Sequence, residues 1–335
     1  LSLKYIISFR YKTMPTKLIH TINGIAPILL EMPHSGRVGL KTMVGVPEIL
    51  ASKIRFNSQN VRKTIGFGCD AAVPEMTGYD NLISAFNLSG IRDDLARVYL
   101  DMNRAKNEIS GLALAGADPK KYHHGIIWAR TILTGVDLTQ PIQELEKIVE
   151  KQCEPLLDHP LAQKEFDFFL GEYHDRYHSA IKEHHARIKA QHGHCIHLAL
   201  HSLPAVSIST VNGGYILGDK QTREKMPDII LIHNNFQSAD KKIIETIRNV
   251  FLSVGLTVQD GAGPFLGNNG VTAMYGNPEQ NIHVVGIEHV TFDVEPERHL
   301  GNPIVDLEKA RKFQNVYKKL IEKLLSNAYD TNPSH

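Results

Sequence analysis

The sequence has few cysteines, no excess of charge and no long hydrophobic run. Its three cysteines, Cys69, Cys153 and Cys195, form no Cys-x-x-Cys pair, which argues against a disulfide framework and leads us to expect a cytoplasmic protein. The formal net charge at pH 7 is +1, with acids and bases mixed along the chain, which argues against a nucleic-acid or membrane-surface partner. The longest apolar stretches are shorter than the roughly 20 residues of a membrane span, so we expect no membrane segment. Because the balanced charge also argues against nucleic acid, we expect the partner to be a small molecule.

The length and composition suit one large globular domain. With 335 residues, 42% of them hydrophobic, the chain can bury a full core. We expect a single domain over residues 19–330 and an N-terminal extension over residues 1–18. The first residues, Leu1–Thr13, have neither the long apolar region nor the small-residue cleavage site of a signal peptide, and Met14 precedes the entry to the first strand.

Predicted strands and helices alternate along the chain, which indicates an α/β fold with a parallel or mixed sheet. The apolar runs predict strands that end near Met32, at His201 and at Glu288, and further strands over Ala96–Met102, Asp228–Ile232 and Leu256–Gln259. The helical patterns cover Pro47–Ile65, the region Pro141–Gln191, Ser238–Ser253 and Pro303–Leu325, and a loop rich in Gly, Asn and Pro covers Gly261–Gly276.

Three of these apolar runs are followed by a residue that can bind or serve a metal ion. His34 follows Ile28–Met32, and His201 and Glu288 end the other two runs. In open α/β sheets ligands bind beyond the carboxyl ends of the strands, so these side chains are expected to converge. Catalytic zinc takes three ligands from His and carboxylate and leaves one position open. The pattern therefore predicts one hydrolytic Zn²⁺ site per chain.

The third ligand has two candidates. Asp70 follows the first helical stretch in the segment Gly66–Asp70, on a loop that can reach the same strand ends. Glu75 is the nearest rival. The residue types do not decide between the two carboxylates.

Glu288 is a carboxylate inside an apolar strand. Burial of a carboxylate is costly unless it is paired or protonated, so its pKa should be raised. A raised pKa suits a general base that activates water at the metal. The alternative is a structural Glu288 paired with a nearby arginine.

A basic cluster follows the predicted second strand. Asn103 and Arg104 would lie at its end, where an Asn-Arg pair can bind a substrate carboxylate through bidentate hydrogen bonds. Arg97 or Arg130 is suited to polarise a scissile carbonyl. For each arginine, an ordinary surface salt bridge is the alternative.

The ordered motifs resemble those of the N-formylglutamate amidohydrolase family. The motifs, which run over most of the chain, are Pro33-His34-Ser35-Gly36, Asp70-Ala71-Ala72-Val73-Pro74-Glu75-Met76, Arg97-Val98-Tyr99-Leu100-Asp101-Met102-Asn103-Arg104, Tyr177-His178, His201-Ser202, Tyr275-Gly276-Asn277-Pro278 and Val285-Gly286-Ile287-Glu288. No single motif is specific, but their order is.

The resemblance implies a zinc-dependent amidohydrolase that acts on an N-acyl amino acid such as N-formylglutamate. It also implies a three-layer α/β/α fold around a mixed, mostly parallel sheet, like that of the zinc carboxypeptidases and aspartoacylases. The implied metal ligands are His34, Asp70 and His201, with Glu288 as general base. Asn103 and Arg104 would bind the substrate carboxylate, and Arg97, Arg130 and Tyr275 complete the implied site.

The chain departs from the family pattern in three places. Arg37 stands where a carboxypeptidase-type His-x-x-Glu would have Glu. Ala273 stands in Asn268–Gly276 where the family usually has Arg, which removes a charged partner for the acidic side chain of formylglutamate. The segment after the proposed base is altered to His289–Asp293. Hydrolysis of an amide is therefore expected, whereas a preference for formylglutamate is not.

Several other patterns are open to a functional interpretation. His174 and His178 are spaced as in a zincin helix, with Asp175 in place of the usual Glu. The His-rich region from His184 to His197 favours a solvated helix end over a metal store, and Gly261–Gly267 is a weak match to a dinucleotide loop.

Two further functions share the predicted site. A zinc peptidase of the carboxypeptidase type would need an open groove for a peptide. A non-catalytic family member would bind an amino-acid ligand or a protein partner without an activated water. The retention of His34, His201 and Glu288 argues against the non-catalytic protein.

Overall fold

A computed structural model describes residues 18–204, 206, 208–218, 226–261, 270–291, 294–295 and 297–329, apart from the side chains of 299 and 327–329. The strands are β1 Ile19–Ile22, β2 Ile28–Met32, β3 Ser89–Asp93, β4 Leu133–Val136, β5 Cys195–Leu203, β6 Ile208–Val211, β7 Gly214–Gly218, β8 Ile229–Ile232, β9 Val258–Asp260 and β10 Ile282–Val290. The α-helices are α1 Glu48–Ala51, α2 Gln59–Phe67, α3 Val73–Thr77, α4 Tyr79–Phe86, α5 Ile142–Gln152, α6 Gln163–Phe169, α7 Asp175–His192, α8 Lys241–Ser253, α9 Val271–Tyr275 and α10 Leu307–Tyr329.

Seven strands form a mixed, mostly parallel sheet in the order β1-β3-β2-β5-β10-β8-β9. The four central strands β3, β2, β5 and β10 are parallel to one another, whereas β1 and β8 run antiparallel to their neighbours β3 and β10. Because β2, β5 and β10 are adjacent and parallel, their carboxyl ends lie at the same edge of the sheet.

Helices cover both faces of this sheet. Leu29 of β2 belongs to a core that includes residues of α1, α2 and α7, whereas its neighbours Ile28 and Leu30 belong to a second core with α4, α8 and α10. Successive side chains of a strand point to opposite faces, so a strand that is apolar at every position must be covered on both sides. The α/β fold and the mixed, mostly parallel sheet flanked by helices are confirmed.

A three-stranded sheet, β4-β7-β6, lies beside the main one. In it β7 pairs parallel to β4 and antiparallel to β6. Together with α5, residues of this small sheet bury a separate apolar cluster around Leu145, Val149 and Ile216. The division of the chain into an extension and a single domain stays a prediction.

The predicted strand Ala96–Met102 is wrong. Six of its seven residues are buried and Arg97 is half-buried, but the segment forms turns, in which Tyr99 N–H donates to the carbonyl of Ala96 and Asp101 N–H to that of Ile126. A run of consecutive apolar residues indicates burial on all sides, and a buried turn satisfies that pattern as well as a central strand does. Asn103 and Arg104 therefore follow a turn segment rather than a strand.

Three other predicted elements differ in extent. Pro47–Ile65 contains two helices, α1 and α2, and Pro141–Gln191 contains α5, α6, a π-helical turn over Leu170–His174 and α7. The predicted loop Gly261–Gly276 includes α9, while its residues 262–269 lie outside the described part, as does most of the weak dinucleotide-loop match. No described helix combines the length and apolar character that a membrane span needs.

Candidate active site

His34 lies just beyond the carboxyl end of β2, where the chain passes close to a neighbouring segment. A Cβ on Gly36 would lie 2.1 Å from the carbonyl oxygen of Leu95, so the turn after His34 requires glycine at this position. The His34 carbonyl accepts a 2.8 Å hydrogen bond from Asp70 N–H. This backbone bond brings the Asp70 loop, which follows α2, to the end of β2.

His34, Asp70 and His201 bring three ligand atoms together. The Nδ1 atoms of His34 and His201 are 3.1 Å apart, and each lies 3.6 Å from Asp70 Oδ2. All three residues are buried. Ligands about 2.0–2.1 Å from a tetrahedral zinc ion are separated by about 3.3 Å, so the observed spacing and the two-histidine, one-carboxylate donor set fit such an ion.

Two further side chains form hydrogen bonds with the atoms of His34 and Asp70 that face away from the other two residues. Asp101 Oδ1 accepts a 2.8 Å hydrogen bond from His34 Nε2, and Arg298 Nη2 donates to Asp70 Oδ1 at 2.5 Å. A histidine whose Nε2–H is held by a carboxylate keeps its Nδ1 lone pair free for a metal. The His34 nitrogen that faces His201 and Asp70 is therefore the one that could bind a metal ion.

The surrounding charges keep both carboxylates ionised. Burial alone would raise the pKa of Asp70, but Arg298 and the two histidines hold it well below its ordinary value. The pKa of Asp101 is likewise held low, because Arg97, His34 and Arg104 outweigh the effect of burial. Ionised carboxylates are the forms that bind a cation or orient a histidine.

Glu288 lies on β10, next to the two histidines. Its Cα is paired with that of His201 on the adjacent parallel strand. Burial raises the pKa of the Glu288 carboxyl, although the charge of His201 opposes this effect. Glu288 Oε2 is buried and has no hydrogen-bond partner among the described residues. Such a carboxylate is available to accept a proton.

One cavity connects these groups with the basic cluster. Its polar lining includes His34, His201, Ser202, Glu288, Arg97, Asn103, Arg104, Tyr215 and Arg298, and its apolar lining includes Phe67, Leu203, Ile208, Ile232 and Val271. The lining combines apolar walls with many converging charged and polar groups, which suits a small polar molecule.

Arg97 and Arg104 both donate to the hydroxyl of Tyr215, over distances of 3.2 and 2.7 Å. Arg97 Nε also donates to Asp101 Oδ2 at 2.6 Å, so Asp101 joins the His34 side of the site to the arginines. Asn103 Oδ1 accepts from Val271 N–H, and a Cβ on Gly270 would lie 2.5 Å from the same oxygen. The glycine thus leaves room for Asn103 at the cavity wall.

Three predicted residues lie elsewhere. Arg130 donates to the carbonyl of Cys153 at 2.8 Å and does not line the described cavity. Tyr275, whose hydroxyl is 2.6 Å from His178 Nδ1, does not line it either. Glu75 forms a salt bridge with Arg37 at 2.9 Å and is not part of the group with converging ligand atoms. The roles of Arg130 and Tyr275 stay predictions.

The zincin pair does not form a metal group. His174 lies in the π-helical turn, with Nε2 3.1 Å from the carbonyl oxygen of Arg104, and its ring lies 4.0 Å from that of His178. Within the described residues, neither belongs to a set of three converging ligand atoms.

A family model described as N-formylglutamate amidohydrolase matches residues 26–290. The chain belongs to this family. The match confirms the resemblance seen in the motifs, and it identifies the protein as an amide hydrolase. No curated protein matches the sequence.

Two solved structures are similar over nearly the whole chain. The N-formylglutamate amidohydrolase from Ralstonia eutropha JMP134 has a TM-score of 0.65 at 18% identity, covering 93% of this chain and 98% of that one. A gene product from Agrobacterium tumefaciens has a TM-score of 0.49 at 15% identity, covering 92% and 96%. The first similarity supports the fold.

The sequence analysis missed Arg298 and Tyr215 as site residues. Tyr215 reaches the cavity from β7 of the small sheet, and Arg298 reaches it from a short 3₁₀ turn, Arg298–Leu300. Neither follows an apolar run at the relevant sheet edge, so the strand-end pattern gave no signal for them.

Proposed function

We propose that the protein hydrolyses the amide bond of N-formyl or other N-acyl amino acids, with one zinc ion held by His34, Asp70 and His201. The observation that best supports this is the convergence of their three ligand atoms beside Glu288. Zinc, when bound, would supply a Lewis acid for the amide carbonyl and for the attacking water. The three buried free thiols, Cys69, Cys153 and Cys195, support a cytoplasmic location.

Glu288 is the proposed general base. It takes a proton from water as the water oxygen attacks the acyl carbon, and it delivers this proton to the amide nitrogen as the C–N bond breaks. The products are the carboxylic acid of the acyl group and the free amino acid. The buried Oε2 supports this role, because it makes no hydrogen bond to a described residue and is therefore free to accept a proton from water.

Arg97, Asn103 and Arg104 are proposed to bind the substrate. Arg104 Nε is buried and makes no hydrogen bond among the described residues, although it lies 3.7 Å from Asp101 Oδ2, so it can donate to an anionic group that enters the cavity. We assign the α-carboxylate to Asn103 and Arg104, and the scissile carbonyl to Arg97. Charge-assisted hydrogen bonds of this kind fix the orientation of a carboxylate as well as its affinity.

The proposed substrates are not limited to formylglutamate. Ala273 provides no guanidinium for a second acidic group, and a charge-assisted bond contributes about 1.5–3 kcal/mol, or roughly ten- to a hundredfold in kcat/KM. We expect N-formylglutamate to have no advantage over N-formylglutamine and N-formylmethionine in steady-state kinetics. A strong preference for N-formylglutamate would show that another basic residue binds its side chain.

The proposal is tested by elemental analysis of the purified protein and a screen of N-acyl amino acids. Zinc at one ion per chain together with deformylation or deacylation is expected. Activity on peptides instead would indicate a carboxypeptidase-type enzyme. Ligand binding without turnover in the zinc-loaded protein would indicate a non-catalytic member of the family.

A further inference from the structure

The buried Arg298 contacts one carboxylate oxygen of Asp70, while the other oxygen faces the two histidines. Asp70 Oδ1 accepts from Arg298 Nη2 at 2.5 Å, whereas Oδ2 faces the Nδ1 atoms of His34 and His201. The second oxygen also accepts a 3.2 Å hydrogen bond from Ser202 N–H. Only Oδ2 is thus directed toward the ligand atoms of the histidines.

The guanidinium of Arg298 is itself held in place through all three of its nitrogen atoms. Nη1 donates to Ser202 Oγ at 2.6 Å, and Nε and Nη2 each lie 3.3 Å from the carbonyl oxygen of Phe67. Nη1 is also 3.5 Å from Glu295 Oε2. The side chain is only 2% exposed, so these contacts fix the planar donor group that meets Asp70.

Arg298 therefore orients the Asp70 carboxylate in two ways. It contacts Oδ1 directly, and it bonds the hydroxyl of Ser202, whose backbone N–H holds Oδ2. Ser202 directly follows His201 on β5, so the same contacts connect two of the three proposed ligands. Without Arg298, rotation of the carboxylate would no longer be restricted at Oδ1.

We propose that Arg298 is a positioning residue that restricts Asp70 to binding the metal through Oδ2 alone. This inference rests on the proposed zinc site. Partners that orient a metal ligand from behind typically contribute ten- to a hundredfold to metal affinity. Direct repulsion between Arg298 and the cation would have the opposite sign, because removal of the positive charge would tighten metal binding. Arg298 also keeps Asp70 ionised, which acts in the same direction as positioning, and Arg298→Lys separates the two because it keeps the charge but not the fork of donors.

The test measures the Zn²⁺ dissociation constant by competition with a chromophoric chelator. Arg298→Met is expected to weaken binding ten- to a hundredfold, and Arg298→Lys by less, because an ammonium keeps the charge but cannot bridge Asp70 and Ser202 as a fork. Arg187→Met is a matched control. Arg187 likewise donates to a backbone carbonyl, that of Gly24, and to a serine hydroxyl, that of Ser89.

A double-mutant cycle separates positioning from a general structural effect. In a Ser202→Ala background, which removes one of the two contacts through which Arg298 acts on Asp70, Arg298→Met should weaken Zn²⁺ binding by less than in the wild type, because both changes act on the same carboxylate. Thermal melting of each metal-free variant shows which proteins are folded, and Arg298→Lys serves if Arg298→Met does not fold. An equal loss in both backgrounds, or unchanged or tighter binding in the folded single variant, overturns the proposal. A wild-type protein that binds no Zn²⁺ would overturn the proposed metal site as well.

Discussion

Two groups of buried histidines and carboxylates lie on or next to β2 and β5, and His34 and His201 of one group line the cavity described above. The strand-end group is His34, Asp70 and His201, at the carboxyl ends of β2 and β5. The mid-strand group is Glu31, His197, His185 and Tyr177, which lies between the same two strands and α7.

The polar atoms of the mid-strand group contact one another. Tyr177 donates to Glu31 Oε1 at 2.9 Å, and His197 Nε2 lies 2.8 Å from Glu31 Oε2. The other ring nitrogen of His197 is 3.0 Å from His185 Nε2. The Glu31 Oε2–His197 Nε2 pair is a close ionic contact without hydrogen-bond geometry, but each of these atoms lies within 3.0 Å of another protein atom, so the group has the contacts of a structural network.

The strand-end group has the opposite arrangement. Its outer atoms are held by Asp101 and Arg298, while the inner atoms of three residues face one another. Histidine and carboxylate on a buried strand therefore do not by themselves bring three ligand atoms together. What distinguishes the strand-end group is that its inner atoms converge on one another and that His34 and His201 line the cavity.

The largest expected effect is the loss of metal from the strand-end group. We expect His34→Ala and His201→Ala to abolish both stoichiometric zinc and activity, because two remaining ligands do not form a stable site. The matched variant in the mid-strand group, His197→Gln, should keep its zinc. Elemental analysis of the folded proteins measures this, and full occupancy in both strand-end variants would refute the ligand assignment.

The next largest effect concerns turnover. Glu288→Gln should keep zinc and substrate affinity but lose roughly 10²- to 10⁴-fold in kcat, as expected for removal of a general base. Because burial raises the pKa of Glu288 and only the ionised form accepts a proton, kcat/KM should fall as the pH drops through a value above the ordinary one for Glu. Normal turnover of the variant would exclude this role. An unfolded variant would indicate that Glu288 is structural.

In the mid-strand group the expected effect is on stability. Glu31→Gln leaves His197 without its charged partner, and such losses typically cost about 3 kcal/mol. Burial alone would raise the pKa of Glu31, but His197 and its other partners lower it below about 4.5.

A carboxyl whose pKa is lower in the folded protein stabilises the fold at pH values above its unfolded pKa. This stabilisation is lost as the pH falls through the folded pKa. The difference in unfolding free energy between wild type and Glu31→Gln should therefore shrink below about pH 4.5. Urea titrations at several pH values measure it. A constant difference would mean that the charge of Glu31 contributes nothing.

The smallest effect is expected at the rival carboxylate. Glu75 pairs with Arg37 in a partly exposed salt bridge, and such pairs contribute about 0–1 kcal/mol. Glu75→Ala should therefore be nearly as stable as the wild type and keep its zinc, whereas Asp70→Ala should lose it. The reverse outcome would assign the third ligand to Glu75.

The mid-strand group also shows where the sequence was misinterpreted. His184, His185 and His197 were expected at a solvated helix end, but all three are buried. Their spacing is irregular in the sequence because it combines two elements, α7 and β5, that pack face to face. A histidine pattern that spans a helix and the following strand contains no information about this contact.

The sequence by itself determined the α/β class, three of the four central strands, β2, β5 and β10, and the position of His34, His201 and Glu288 at one sheet edge; it missed β3. Consecutive apolar residues demand burial on both faces, and parallel neighbouring strands then end at the same edge. The apolar run and the polar residue that follows it are local patterns, which a single segment already contains.

Only the tertiary structure decided which carboxylate joins the histidines and what supports it. Asp70 is brought to the site by a backbone bond to His34, Arg298 comes from a turn far along the chain, and Tyr215 comes from a second sheet. Such contacts join segments that lie far apart in sequence. They depend on how the segments pack, and no periodicity within one segment encodes that packing.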